Sequence, residues 1–285
     1  NVKSDLIIEN MNLSDKASYV GNVVLDNFDI GAFLGRKDLG KATLNLDVDG
    51  KGFSEKYLNT TTKGIVTKMY YNNYNYSNID LNMSFVKGFY KGQIKANDPN
   101  LKMNFDGLVD LRNKNSQYDF HINVENADLK KLNFMDDAIS KFKGDIIVNL
   151  TGNTIDNLAG DIHIKETTYT NAKATYEFED FYINSTFDQN RLRTITLNSA
   201  DIIEGEIVGK YQFNQLQNLV KNSLGSLYAN YKPVKVKKGQ FLKFDFTIYN
   251  KIIEIFYPEI SIATNTVVKG NINSDNQEFK LNFNS

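Results

Sequence analysis

Ile79-Asp80-Leu81-Asn82-Met83-Ser84-Phe85 decides how the chain is read, because apolar and polar residues alternate in it without a break. A period of two puts one kind of side chain on each face of an extended strand. The same pattern returns in Leu44-Asn45-Leu46-Asp47-Val48, Leu101-Lys102-Met103-Asn104-Phe105 and Tyr118-Asp119-Phe120-His121-Ile122-Asn123-Val124. It continues in Ile146, Val148 and Leu150, in Tyr176 and Phe178, in Leu242 to Ile248, and in Phe279, Leu281 and Phe283. Turn-forming clusters separate these runs: Asp49-Gly50-Lys51-Gly52, Asn97-Asp98-Pro99-Asn100, Asn113 to Ser116, Asp188-Gln189-Asn190 and Asn273 to Asn276. Strands recurring this often predict an antiparallel meander.

Helical spacing is rare. Asn214 to Asn230 carries Leu216, Leu219, Val220, Leu224, Leu227 and Tyr228 on one stripe and predicts an amphipathic helix. Asp128 is placed to cap a shorter one bearing Leu129, Leu132 and Met135, and Asp29 to Leu34 reads as a helical turn.

Composition removes several function classes. The 285 residues carry a net charge of −1, without the basic footprint of a generic nucleic-acid binder. There is no cysteine, hence no disulfide framework, thiolate nucleophile or Cys-based metal site. No apolar run approaches the roughly 18 residues of a membrane-spanning helix. The chain opens at Asn1 in what reads as a strand, so it is expected to be a piece of a longer protein, with any anchor or targeting segment outside it.

A long repeat runs through the chain. Val23 to Ile30 matches Ile122 to Leu129, Gly40 to Leu46 matches Gly144 to Leu150, and Leu101 to Gly107 aligns with Ile203 to Gly209, at a spacing of about 100 residues. The expected organisation is one continuous repetitive β-segment over 1–285, with units at 22–121, 122–213 and a partial 214–285. Stacked units of this kind build a continuous array.

Three features carry a family resemblance: the elements Asn27-Phe28-Asp29-Ile30 and Asn126-Ala127-Asp128-Leu129, the Gly-led strands Gly40 to Val48 and Gly144 to Leu150, and the unbroken alternation. In these the chain resembles the periplasmic β-rich region of the TamB (translocation and assembly module) and AsmA-like proteins of Gram-negative bacteria, in wording closest to a Bacteroidetes member. The resemblance implies an all-β, open, curled antiparallel sheet, a taco-like groove with an apolar inner surface. It implies an inner-membrane anchor through an N-terminal helix and an outer-membrane barrel of the Omp85 type at the C-terminus, neither contained in this chain. The implied role is non-enzymatic: shielding phospholipid acyl chains between the two membranes and supporting outer-membrane biogenesis.

The groove is expected to be lined by Leu44, Leu46, Val48, Leu81, Met83, Phe85, Leu101, Met103, Phe105, Phe120, Ile122, Val124, Ile146, Val148 and Leu150. A closed sandwich core predicts the same alternation. Two features favour the groove: the turns do not group the strands into a self-closing set, and the inward residues lack polar groups that would bind a defined ligand. A slide for acyl chains needs only area, at roughly 25 cal/mol per Å². The rival readings are an assembly factor presenting strand edges to barrel proteins, and a surface sugar-binding or adhesive sandwich.

Other motifs carry less. Asp47-Val48-Asp49-Gly50-Lys51-Gly52 lacks calcium ligands where Lys51 and Leu58 stand, so it reads as a glycine turn after a strand. His121 and His163 alternate with apolar neighbours, point outward and have no partner suited to a metal. No nucleophile elbow, phosphate loop or dinucleotide fingerprint occurs, and no cofactor is expected. Tyr70, Tyr71, Tyr74 and Tyr76 read as a mixed-polarity strand pair, with a carbohydrate platform as the alternative. Lys232, Lys235, Lys237 and Lys238 read as a solvated loop before the strand at Phe241, with lipid head groups as the alternative contact.

Overall fold

The computed structural model describes residues 1–54, 56–136, 139–225, 230–256, 259–260, 262–275 and 278–284. The protein is all-β: among the described residues, seventeen strands form an open antiparallel sheet, accompanied by three short helices. The chain divides into two compact units, Asn1–Asn149 with Glu166–Glu177, and Leu150–Lys165 with Phe178–Ser285. The division falls inside the second repeat copy, 122–213.

In the first unit each strand pairs with its chain neighbour. The order is β1 (Val2–Glu9), β2 (Ser18–Asp29), β3 (Leu39–Lys51), β4 (Asn59–Tyr71), β5 (Tyr74–Val86), β6 (Phe89–Asp98), β7 (Leu101–Asp110), β8 (Gln117–Asp128) and β9 (Ser140–Thr151). Most junctions fall at the turn clusters. One is corrected: Asp49, Gly50 and Lys51 remain in β3, paired with Thr61, Thr60 and Asn59, and the turn begins only at Gly52. Ladder hydrogen bonds on both sides outweigh the turn preference of Asp and Gly there.

The two aligned repeat copies share local geometry. The Asp29 carboxylate caps α1 (Ile30–Leu34) by accepting from the Ala32 N–H at 2.9 Å, and Asp128 accepts from Lys131 N–H at 3.1 Å. At the second site no helix follows. A single turn forms, closed by Leu132 N–H on Asp128 O at 2.9 Å, and it drives Leu132 into the core at 0% exposure.

A buried carboxylate ties the other ends together. Asp98, 1% exposed, accepts from Tyr74 Oη (2.5 Å), Ser77 N (2.9 Å), Ser77 Oγ (2.6 Å) and Asn100 N (2.8 Å). Burial first, and then this carboxylate, push the Tyr74 hydroxyl above its ordinary pKa. An amide accepts on one side only, so Asp98→Asn leaves two of these donors unmet. The expected loss is about 2 kcal/mol, read from a denaturant titration; an unchanged midpoint would refute this account of the turn.

The second unit holds the first half of β10 (Ala159–Asn171), then β12 (Phe181–Phe187), β13 (Arg193–Ser199), β14 (Ile203–Lys210), α2 (Phe213–Gly225), β15 (Phe241–Ile248), α3 (Asn250–Phe256), β16 (Thr266–Asn273) and β17 (Glu278–Asn284). β11 (Thr175–Phe178) is a short strand between β10 and β12, and Gly160–Ile164 of β10 pairs directly with Phe181–Ser185. From β12 to β17 neighbours pair in sequence. Leu219 of α2 packs with Leu242 and Ile272, and Leu216 joins them. The helix therefore covers the face of β15 and β16. Val220, placed on the same stripe by spacing, is 40% exposed and turned away, and Leu227 lies outside the described residues. Over its 13 described residues the helix buries Leu219, with Leu216 packed beside it, and leaves Val220 to solvent.

Candidate functional site

The register across β2 to β8 sorts one face of the first unit into successive levels. Directly opposed residues give Leu25–Leu44–Val66–Ile79–Ala96–Met103–Val124, then Val23–Leu46–Gly64–Leu81–Ile94–Phe105–Ile122. The third level is Gly21–Val48–Thr62–Met83–Gly92–Gly107–Phe120 and the fourth Tyr19–Gly50–Thr60–Phe85–Tyr90–Val109–Tyr118. No charged residue stands at any of these positions. Leu101, opposite Ala127, packs against the same cluster. On β9, alternation puts half-buried Ile146 and buried Val148 on the face of Phe142, which also touches that cluster. Leu150 belongs to the second unit.

Burial falls from the first level to the second and third and returns at Gly50 and Thr60 in the fourth. Five of the first seven positions are buried, with Val66 and Ala96 at 4% exposure. The whole second level is only half-buried. One face of a flat sheet does not hide an alanine to that extent. The buried cluster takes residues from β3, β4, β5, β6 and β8, with Val23 and Phe142 packed on it from β2 and β9. The sheet of this unit therefore curls inward and supplies its own opposing wall. A long-range contact shows the same bend. Asn133 Nδ2, beyond β8, donates to Asn72 O at the β4–β5 turn over 3.3 Å, although a flat sheet would hold β5 and β8 about 14 Å apart.

The far end is lined with rings. Phe85 and Tyr90 meet edge to face at 5.8 Å, Phe105 and Phe120 lie 5.6 Å apart, and Tyr19 stacks on Phe53 at 5.5 Å while its hydroxyl meets Thr60. Between these rings and the closed end the third level contains three glycines, so the floor is thin there.

The opposite face of the same strands is polar. Asn22, Asp47, Lys63, Asn82, Gln93, Asp106 and His121 oppose one another in turn. Asn22 donates to Asn45 (2.7 Å) and Asp47 (2.9 Å), Gln93 to Asp106, and His121 meets Asp145. Outward-pointing His163 meets Asp180 at 3.1 Å. Among the described residues no group of three His, Asp or Glu side chains is arranged to hold a metal ion. The tyrosines form the expected strand pair: Tyr71 opposes Tyr74 across the β4–β5 turn, and Tyr76 is buried edge-on to Tyr74 at 4.8 Å.

Sequence reading omitted Val66 and Ala96 from the lining, although Gly64-Ile65-Val66 and Ile94-Lys95-Ala96 carry the same period. It also omitted the rim residues Tyr19 and Tyr90, whose hydroxyls disguise their inward phase, and left Tyr118 out of the lining although it read Tyr118 in phase with Phe120. The arrangement offers an apolar trough with a closed end, an aromatic rim and a wetted back. The chain matches no family model, no curated protein and no solved structure.

Proposed function

We propose that the inward face of the first unit shields phospholipid acyl chains, and that the chain is a non-enzymatic segment of a lipid-conducting protein of the cell envelope. The observation that carries this is the charge-free second and third levels, apolar except for Thr62 and half-buried in an open sheet. Area of that kind attracts hydrocarbon without direction or stereochemistry, at roughly 0.8 kcal/mol per buried CH₂. The resemblance to the periplasmic β-rich family points the same way and supplies the envelope location, the inner-membrane anchor and the outer-membrane barrel partner as parts of the proposal.

The burial gradient selects the test. Met103 sits between Ala96 and Val124 at the closed end, so a carboxylate there would challenge folding. Phe120 sits at the half-buried third level, where a carboxylate stays hydrated. Phe120→Asp is expected to melt within a few degrees of the parent protein and to lose most of the phospholipid that co-purifies with it, measured by mass spectrometry of extracted lipid. Val66→Asp, at the buried level, is expected to unfold. A parent protein that retains no phospholipid, or a Phe120→Asp protein that retains it in full, would overturn the proposal.

A further inference from the structure

The second unit carries a site that uses none of the residues of the trough. Between residues 207 and 244 the sequence holds seven lysines and no aspartate or glutamate, in a chain whose net charge is −1. This run folds into α2, an irregular strap over 231–240, and the start of β15.

A cavity of about 520 Å³ lies between helix and strap. Leu219 of α2, Ile272 of β16, and Val234 and Val236 of the strap give it an apolar side, Asn222, Ser223, Asn273 and Ser274 give it a polar one, and Lys235 and Lys238 also line it. The volume is that of a small-molecule site.

The strap has no strand partner, yet side-chain amides hold it in place. Asn222 Nδ2 donates to Val234 O at 2.7 Å, and its Oδ1 accepts from Val234 N at 2.8 Å and Tyr231 Oη at 2.9 Å. Gln215 Oε1 accepts from Lys237 N at 2.8 Å and from buried Gln240 Nε2 at 2.7 Å. The cavity is thus preformed, which spares a ligand the cost of ordering its walls. Lys232, Lys235, Lys237 and Lys238 meet no carboxylate within ion-pair distance among the described residues.

We infer that this cavity binds an amphiphile with a phosphate-type anionic head, its tail against Leu219 and Ile272 and its head between Lys235 and Lys238. Lysine ammonium groups serve phosphate as point charges. Lysines without an ion-pair partner among the described residues, beside a cavity with one apolar and one polar side, match a ligand that is anionic at one end and apolar at the other, although Asp275 stands nearby on the Gly239 N–H at 2.8 Å.

Calorimetry on the whole chain tests this with dodecyl phosphate as probe, and with inorganic phosphate and dodecanol as its two halves. Dodecyl phosphate is expected to bind at least about tenfold more tightly than either half. Lys235→Gln with Lys238→Gln is expected to weaken it about tenfold or more, without changing the melting temperature. Val234→Trp, at a side chain 47% exposed, fills the cavity from the strap and is expected to abolish binding.

Equal affinity for inorganic phosphate would reduce the site to a bare anion contact and overturn the proposal, as would equal affinity for dodecanol. Vesicles of phosphatidylglycerol and phosphatidylcholine provide the last arm. Binding to the anionic vesicles with no binding of dodecyl phosphate would mean a basic membrane-facing surface and no occupied cavity, which also overturns it. The proposed trough would also take a dodecyl chain, so each titration is repeated in the Phe120→Asp protein: binding that this substitution leaves and the Lys235→Gln, Lys238→Gln pair removes belongs to the cavity, and binding that only Phe120→Asp removes belongs to the trough.

Discussion

Arg193→Lys is expected to destabilise the second unit by about 3–5 kcal/mol. Arg193 is 6% exposed at the start of β13, and its guanidinium spans three acceptors. Nε donates to Ser185 Oγ at 3.0 Å, Nη1 to Ile155 O at 2.8 Å and Nη2 to Leu158 O at 2.9 Å. The rings of Phe187 and Phe213 lie 5.3 Å and 5.0 Å from its central carbon. Burial lowers its pKa from the usual value, while Tyr211 and Asp156 oppose that shift. Asp156 also receives the Phe213 N–H at 2.7 Å where α2 begins. One side chain thus joins the β9–β10 connection, β12 and the foot of α2. Lysine keeps the charge but not the planar fork, so it cannot span all three acceptors: Leu158 O keeps only the Ser185 hydroxyl at 2.8 Å, Ile155 O has no other donor among the described residues in place of Nη1, and the charge is under-solvated. Guanidinium titration followed by circular dichroism measures the loss. An unchanged midpoint in the Arg193→Lys protein would show that the three bonds contribute nothing net.

Gly107→Val should cost about 3–5 kcal/mol in the first unit, from two sources. The φ angle at Gly107 is +154°, a conformation that side-chain-bearing residues rarely adopt. A Cβ there would also overlap Asp119 O and the Cα and Cβ of Phe120, so both strain and overpacking apply. The two positions are directly opposed, and the missing side chain of one is the seat of the other. Gly107→Ala already carries both the backbone strain and the Cβ overlap, so it should cost most of that loss, and the difference between the two melting curves reads what the extra methyl groups of valine add. If alanine and valine are equally harmless, the close approach of β7 and β8 is not a constraint on the fold.

The alternation in Ile79 to Phe85 and its relatives made the strands and their phase legible, because one face of each is dry and the other wet. That was enough to put Leu44, Leu46, Leu81, Met83, Phe105 and Ile122 on one face. Depth along the strand was not legible. Leu44 and Leu46 look alike in sequence and share a face, yet Leu44 is buried at the closed end and Leu46 is half-buried. The thin floor at the third level, where Gly92 opposes Gly107 and Gly21 stands on β2, is a feature only the register reveals. The polar knots were equally hidden. Arg193 and Ile155 are 38 residues apart, and Asp98 and Tyr74 are 24 apart, so no local motif joins them. α3 escaped notice because Asn250 to Phe256 is too short to show a helical period.

The meander has a consequence for how the protein is made. Within each unit almost every strand finds its ladder partner in the segment synthesised just before it; the exception, β10 with β12, skips only β11. Loop closure is cheap over such short separations, and hairpins of this kind form on the order of microseconds. The sheet can therefore grow one strand at a time behind a ribosome or a translocation pore. At each moment only the newest edge is bare, which keeps the interval of aggregation-prone exposure short for a protein so rich in apolar strands.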